Sequence, residues 1–369
     1  MKARIVFSSY DSLKNPYYAG GGALAVHKVA KALTKNYNVT IFTGKYPGCH
    51  DKKINRIQYC HIGITWLGPK LSQLAFQIAL IYKAISEQYD LWIESFTPPF
   101  STTCLPLFTK KPVIGLVHML AGEDMQRKYK LPFIFFENLG LRSYQHFIVL
   151  TQKIKNRISA VNPKAQMYVV SNGVDVYALP TTKTHKNFIL FLGRLEIDQK
   201  GLDILLESYK QTEDQVKQNL IIAGSGTKTE ENRLRKMIHK LELQDRVILL
   251  GKVVGKEKRK LLRQASFIVI PSRFETFSVV ALEALAYRLP IVGFTIDGLS
   301  WIPKDCCYLV KDFDKEALSQ AIKTMGQDEK LRTAISHACE EGVKIFSWDL
   351  VVEKYKQIIK DVLVNKNYV

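Results

Sequence analysis

The residues with the most chemical potential lie between Ile270 and Leu289, where the chain reads IPSRFETFSVVALEALAYRL. A strand ends at Pro271, a loop follows, and a helix is expected to begin near Ser278. Glu275 then falls in the loop and Glu283 in the second turn of the helix. Glu283 sits among Val279, Val280, Leu282, Leu285 and Ala286, an otherwise apolar face. A carboxylate there is costly unless it meets hydrogen-bond donors, and sugar hydroxyls are such donors. Backbone amides at Phe277, Ser278 and Val279 at the helix start can hold a phosphate. The plainer alternative is a glutamate that only complements the helix dipole.

Two cations form a second set. Phe191-Leu192-Gly193-Arg194-Leu195 runs on to Lys200-Gly201, placing Arg194 and Lys200 in the loop after a strand. Arginine offers a planar fork and lysine a point charge, a pairing that suits a diphosphate. A solvated loop is the alternative. Gly20-Gly21-Gly22 lies between the first strand and a helix. It reads equally as a close backbone approach to a ligand or as a flexible turn. No G-x-G-x-x-G run occurs, and Gly224-Ser225-Gly226, with Thr229 in the third glycine's place, reads as a plain turn.

These residues need elements to position them. Strands are expected at Arg4–Phe7, Val39–Thr43, Ile57–Ile62, Asp90–Glu94, Val113–Val117, Phe147–Leu150 and Met167–Val170. A second series follows at Asn187–Leu192, Leu220–Ala223, Val247–Leu250, Phe267–Ile270 and Ile291–Phe294. Several are apolar throughout, as parallel strands covered on both faces should be. Helical patterns separate them; Val26, Val29, Ala30 and Leu33, for example, mark one helix face. Strand–helix alternation predicts a doubly wound α/β fold. The polar stretch 179–186 reads as a linker, so two successive Rossmann-like domains are the simplest account. From Trp348 to Leu363 the chain is amphipathic, with Leu350, Val351, Tyr355, Ile358, Ile359 and Val362 on the apolar side.

Four motifs occur together: Gly193-Arg194 with Lys200-Gly201; Glu275-x7-Glu283 after Pro271-Ser272-Arg273; Ser171-Asn172-Gly173-Val174-Asp175; and the glycines at 20–22. In order and spacing they resemble glycosyltransferase family 4, over essentially the whole chain. The resemblance implies the GT-B architecture: a first, acceptor-side Rossmann-like domain over 1–180, a nucleotide-sugar-binding one over 187–349, and a terminal helix at 350–369 crossing back to the first. It implies a retaining transferase that moves a hexosyl unit from a UDP- or GDP-linked sugar to a glycan or lipid-linked acceptor. Glu283 resembles the glutamate that binds the donor's ribose hydroxyls, and Glu275 the one that contacts the transferred sugar. Arg194 and Lys200 match the cations on the diphosphate, and His118, after Val113–Val117, the histidine near the sugar. The donor set is thus Gly20, Gly21, Gly22, Arg194, Lys200, Glu275, Thr276, Phe277, Ser278, Val279 and Glu283. Thr276 and Ser278 stand where the family often has glycine, which leaves the sugar open. No metal or other cofactor is implied; Asp312-Phe313-Asp314 reads as a helix N-cap at Asp314 rather than a metal motif. A nucleotide-sugar epimerase of the same architecture, or a non-catalytic binding protein, is the alternative.

Composition limits the partners. The chain has 369 residues, with 53 Lys and Arg against 34 Asp and Glu, a net charge of +19. Residues 1–180 hold 22 of those basic residues and only 9 of the acidic ones, which suggests an anionic partner. No nucleic-acid module or interleaved aromatic–basic motif is present, so nucleic acid is not expected. Lys52, Lys53, Arg56, Arg127, Lys128, Lys130, Lys153, Lys155 and Arg157, with apolar Leu131–Phe136 and Leu74–Ile85, form either a peripheral patch for an anionic membrane or a solvated surface over buried helix faces. The first residues read as a strand rather than a signal peptide. No uncharged apolar run reaches the ~18 residues of a membrane span, and the six cysteines show no Cys-x-x-Cys spacing. A cytoplasmic enzyme, either free or apposed to the cytoplasmic face of the membrane, is the resulting expectation.

Overall fold

Short β-branched runs alternate with stretches of helical periodicity, and the fold follows that alternation. The computed structural model describes residues 2–15, 20–66, 68–176 and 188–365. The chain divides into two units, Met1–Gly173 with Trp348–Val369, and Val174–Ser347. The linker expected at 179–186 lies outside the described residues.

The first unit is built on strands β1 (Arg4–Ser9), β2 (Asn38–Gly44), β3 (Lys52–Ile54), β4 (Ile57–Ile62), β5 (Leu91–Ser95), β6 (Val113–Val117), β7 (His146–Val149) and β8 (Gln166–Val169). They form one sheet in the order β3-β4-β2-β1-β5-β6-β7-β8. All neighbours are parallel except the β3–β4 hairpin. Helices α1 (Gly21–Leu33), α2 (Gly68–Ser86), α3 (Gly122–Tyr129), α4 (Phe133–Leu141) and α5 (Gln152–Val161) connect them. The central strands are buried along their whole length at β5 and β6, which explains their unbroken apolar sequences. Strand β3 was not expected from the sequence. It is three residues long and reads Lys-Lys-Ile, with no apolar run to mark it and with charge on the sheet edge.

The second unit carries β9 (Phe188–Leu192), β10 (Asn219–Ala223), β11 (Val247–Gly251), β12 (Phe267–Ile270), β13 (Ile291–Phe294) and β14 (Cys307–Val310). Their order is β11-β10-β9-β12-β13-β14, all parallel. The helices are α6 (Ile197–Lys200), α7 (Leu202–Lys210), α8 (Lys228–Lys240), α9 (Gly255–Gln264), α10 (Val279–Ala286), α11 (Lys315–Gln327) and α12 (Glu329–Gly342). The chain leaves β9 in one direction, reaches β11, and returns to β12 on the other side of β9. Such a reversal opens a crevice at the carboxyl ends of the two strands. The loops beyond β9 and β12 are those that carry Arg194 and Glu275.

The last helix, α13 (Trp348–Asn365), belongs to the first unit and packs on α1. Val351, Tyr355, Ile358, Ile359 and Val362 join Ile5, Phe7, Val26, Val29 and Ile41 in one apolar core. Leu350, expected on that apolar side, is half exposed instead. The cations grouped by the sequence are split by the sheet: Lys52, Lys53 and Arg56 lie on the β3–β4 hairpin, while Arg127, Lys128 and Lys130 follow β6.

Because α13 supplies a wall of the first unit's core, Ile359→Ala should destabilise that unit by about 2–5 kcal/mol. Val364→Ala, at an exposed position, should change stability by less than about 0.5 kcal/mol. Denaturant unfolding of the full chain checks both.

Candidate functional site

The crevice between β9 and β12 closes over a small polar cluster. Lys200 ends α6, and its Nζ donates to Glu275 Oε1 at 2.6 Å. Ser272 Oγ donates to the same oxygen at 2.9 Å. Both charged side chains are largely buried, 15% and 13% exposed. Gly201, the residue after Lys200, has φ +64, and a Cβ there would lie 1.9 Å from the Pro271 carbonyl oxygen. Only glycine lets the two loops approach so closely. Arg273 fastens them further: its amide donates to the Gln199 carbonyl at 2.9 Å, and its guanidinium forks onto Asp203 at 2.8 and 2.6 Å. Burial raises the Asp203 pKa, but the Arg273 bonds outweigh it and hold the carboxyl below its ordinary value. Arg194 stands differently. It is 66% exposed and bonds to Glu196 at 2.9 Å.

Ser278 caps α10, its hydroxyl accepting the Ala281 amide at 3.3 Å. The structure corrects the expectation for this helix start. Of the three amides expected to meet a phosphate, that of Ser278 donates to the Gly298 carbonyl at 3.3 Å. The helix start is tied to the loop after β13 before any ligand arrives. Phe277 is buried and stacks on Trp301, with centroids 4.3 Å apart and planes at 12°, so its ring anchors the loop. Thr276 and Val279 are half-buried beside it. Glu283 Oε1 accepts Lys258 Nζ at 2.6 Å, while its Oε2 is buried with no partner. A carboxylate oxygen shut away from water without a donor is unfavourable in the free protein. It marks a place where a ligand hydroxyl would be stabilised.

In the first unit, His118 follows β6, and its ring lies against α1. A Cβ on Gly22 would be 3.4 Å from His118 Cδ2. Gly20 is extended and Gly21 opens α1, which has no side-chain cap. None of Gly20, Gly21 and Gly22 takes a positive φ; the glycines serve close approach rather than a tight turn. His118 Nε2 is buried without a partner, and burial pushes its pKa down to about 4. Asp11, just past β1, faces the same glycines, its Oδ2 3.6 Å from where a Gly20 Cβ would be. Burial lifts its carboxyl to about 6.

The loop around His118 rests on buried carboxylates. Glu137 on α4 accepts from Ser101 Oγ at 2.5 Å, from the Gly122 amide at 2.8 Å and from Arg157 at 3.0 Å. Ser101 Oγ in turn accepts the Ala121 amide at 2.8 Å. Glu94 holds the adjoining segment through the Thr103 amide and hydroxyl, at 2.9 and 2.7 Å, and through Tyr144. Among the described residues no group of three or more His, Cys, Asp or Glu side chains is arranged to hold a metal ion. Asp314 Oδ1 accepts the Ala317 amide at 2.9 Å, the N-cap read from the sequence, and Asp312 accepts the Thr295 hydroxyl at 2.7 Å.

Residues 19–177 match the family model described as Glycosyltransferase Family 4, and residues 180–341 match that of Glycosyl transferases group 1. The chain is a family 4-type glycosyltransferase with the GT-B fold. An uncharacterized glycosyltransferase of Methanocaldococcus jannaschii is 25% identical, over 94% of this chain and 95% of its own length. A GDP-mannose:cellobiosyl-diphosphopolyprenol alpha-mannosyltransferase of Xanthomonas oryzae pv. oryzae is 30% identical over 51% of this chain and 50% of that protein. The structure of the Anabaena protein HepE in complex with UDP-glucose superposes with a TM-score of 0.76 at 17% identity, covering 97% of this chain and 100% of that one. At that identity the likeness speaks for the fold.

Within this glycosyltransferase, the second unit brings Lys200, Glu275 and Ser272 into direct contact, with Ser278 capping the helix that carries Glu283. The first unit brings Gly20–Gly22 to His118. Sequence reasoning missed Asp11, Lys258 and Trp301. Asp11 is an isolated acid after a strand, Lys258 is hidden in the run Lys-Glu-Lys-Arg-Lys of α9, and Trp301 is near Phe277 only in space.

Among the shifted groups of the first unit, His118 and Asp11 give pH behaviour of opposite sign. His118, with its folded pKa depressed to about 4, contributes stability above its ordinary value of 6.5 that is lost as pH falls toward 4. Asp11, raised to about 6, costs stability as pH rises from 4 through 6. Asp11→Asn should therefore stabilise the protein near pH 7 by up to about 3 kcal/mol and leave it unchanged near pH 3. Thermal unfolding across pH checks the sign, and histidine NMR should find His118 neutral down to about pH 5.

Proposed function

We propose that this glycosyltransferase moves a hexosyl unit from a UDP- or GDP-linked sugar to a glycan or lipid-linked acceptor, with retention of configuration and without a metal. The observation that carries the reading is the pair of glutamates on one loop and helix: Glu275 held by Lys200 and Ser272, and Glu283 with one buried oxygen unsatisfied. Two ribose hydroxyls would supply the donors that Glu283 lacks. Glu275, already oriented, would accept hydroxyls of the transferred sugar.

The leaving group is a nucleoside diphosphate, and negative charge builds on its β-phosphate as the C1–O bond breaks. Lys200 has three ammonium protons, so it can keep Glu275 and still donate to a phosphate oxygen. Arg194, itself 66% exposed, brings a fork whose present partner is the half-buried Glu196, an ion pair at the surface that exchanges at little cost. The N-terminus of α10 adds its dipole and the amides near Val279. Such preoriented donors lower the barrier because they need not reorganise. The acceptor oxygen attacks C1 from the face the phosphate leaves, and the departing phosphate oxygen takes the acceptor proton. His118, neutral at physiological pH, would act as a hydrogen-bonding group to the sugar rather than as a cationic acid.

The Anabaena structure with UDP-glucose supports testing UDP-glucose first, and the Xanthomonas relative supports GDP-mannose with a polyprenol-linked acceptor. Calorimetry with UDP and GDP should show binding of one of them. Glu283→Ala should weaken it by roughly 10–100-fold, the worth of a charged hydrogen bond or two. Lys200→Ala should lower kcat by about 100–1000-fold while the nucleotide still binds. Full turnover in both variants would overturn the reading, and release of a sugar isomer with no acceptor present would assign an epimerase instead.

A further inference from the structure

The solvent-facing side of α4 is apolar. Helix α4 turns Phe133, Glu137, Gly140 and Leu141 inward, yet Phe135, Phe136 and Leu139 are 64%, 48% and 53% exposed, and Leu131 just before the helix is 57% exposed. A surface helix ordinarily shows polar residues there. The tip that joins α3 to α4 reads Arg127-Lys128-Tyr129-Lys130-Leu131, all exposed. Between the two helices lies a cavity of about 550 Å³, lined by Glu123, Gln126, Arg127, Lys130, Leu131, Pro132 and Ile134. Two cations stand at this cavity with apolar side chains beside them. Of its charged groups, Glu123 is paired with Arg157 at 3.3 Å and Arg127 with Asp124 at 2.7 Å.

Exposed apolar side chains also occur on elements near α4. Its C-terminal Gly140 rests on Thr102 and Cys104, and just beyond these Leu107 and Phe108 are exposed. The turn at Leu105–Leu107 packs on α2, where Leu71, Leu74, Ile78, Tyr82 and Ile85 face outward. Scattered apolar residues on a surface are normal, but large ones gathered on the outer face of one helix beside a cluster of cations, as on α4, mark an interaction site.

We infer that the α3–α4 hairpin docks the protein on an anionic bilayer: Phe135, Phe136, Leu139 and Leu131 enter the acyl boundary, and the cavity between the helices takes a phosphate-bearing lipid headgroup at Arg127 and Lys130. The occupant is argued from charge complementarity. A protein partner's apolar face would not need Arg127, Lys128 and Lys130 at the rim of the patch, whereas a negatively charged leaflet attracts such a cluster and adjacent Phe and Leu anchor it. The inference deepens the acceptor part of the proposed function, since a lipid-linked acceptor is met at that surface. Its test needs no donor sugar.

The experiment is co-sedimentation of the full chain with vesicles of phosphatidylcholine alone or mixed with phosphatidylglycerol, at low and high salt. Binding is expected only with the anionic lipid and should fall with salt. At about fivefold per cation near the surface, removing all three with Arg127→Gln/Lys128→Gln/Lys130→Gln should weaken it by roughly 100-fold. Phe135→Ser/Phe136→Ser should weaken it without changing its salt dependence. Unaltered thermal unfolding and nucleotide binding in these variants would show that the fold and donor site are intact, so failure here is separate from failure of the transferase reading. Absence of anionic-lipid-dependent binding, or equal binding by the variants, overturns the inference. So does salt-insensitive self-association in light scattering that Phe135→Ser/Phe136→Ser abolishes in place of vesicle binding, which would assign the face to a second copy. Vesicle binding that neither inorganic phosphate nor soluble glycerophosphate in excess lowers beyond the effect of matched ionic strength would remove the headgroup site.

Discussion

A parallel strand cannot be joined to its neighbour by a tight turn. The chain must be carried back over the sheet, usually by a helix, before the next strand begins. Every loop leaving a strand therefore emerges at the same end of the sheet, and where the order of connection reverses, two such loops are left facing a gap. In the second unit that gap lies between β9 and β12, and the residues on its two sides, Lys200 and Glu275, are in contact at 2.6 Å. The close approach of Gly201 to the Pro271 carbonyl and the Arg273–Asp203 fork hold the loops at that spacing.

What the fold gathers at these ends is unfavourable by the standards of a core. Glu283 keeps a buried oxygen unpaired, His118 a buried nitrogen, and Asp11 a carboxyl lifted to about 6. Burial of unpartnered polar groups is tolerated where the rest of the structure overdetermines the backbone. Here the surrounding elements do so: fully buried β5 and β6, the Glu94 and Glu137 networks beneath the His118 loop, and the stacked Phe277 and Trp301 against α10. In each unit the unpartnered group has company of a kind that suits a ligand: Glu283 lies beside Lys258 in the second, and His118 beside Gly22 in the first.

Much of this was legible in the linear order of residues. The strands at Val113–Val117, Phe267–Ile270 and Ile291–Phe294 have the bounds that their apolar runs suggest, because a strand buried on both faces has little choice of composition; Ile57–Ile62 also keeps its expected bounds, though its burial alternates. The two strands that were missed, β3 and β14, lie at sheet edges; β3 reads Lys-Lys-Ile with no apolar run to mark it, while β14 reads Cys-Tyr-Leu-Val and is only partly buried. The motif residues Arg194, Lys200, Glu275 and Glu283 stood out through residue type and spacing. Lys258 and Asp11 did not, since nothing near them in the chain marks them; each matters through a neighbour brought close by folding. The Ser278 amide shows the converse. It looked available from its place at a helix start and is taken by Gly298, a residue whose nearness only the loop after β13 creates.

The sequence by itself determined the class of fold, the family and the inventory of groups able to bind a sugar and a diphosphate, because these depend on periodicity and on side-chain chemistry, which are local. The tertiary structure decided which of those groups meet, which are already bonded and which are left wanting a partner. It also decided that the cations of the first unit fall in separate regions of one sheet, Lys52, Lys53 and Arg56 at the β3–β4 edge and Arg127, Lys128 and Lys130 beside an exposed apolar helix face. Contact and burial are properties of the whole packed chain. No window of residues contains the atom that comes to rest against another from far along the sequence.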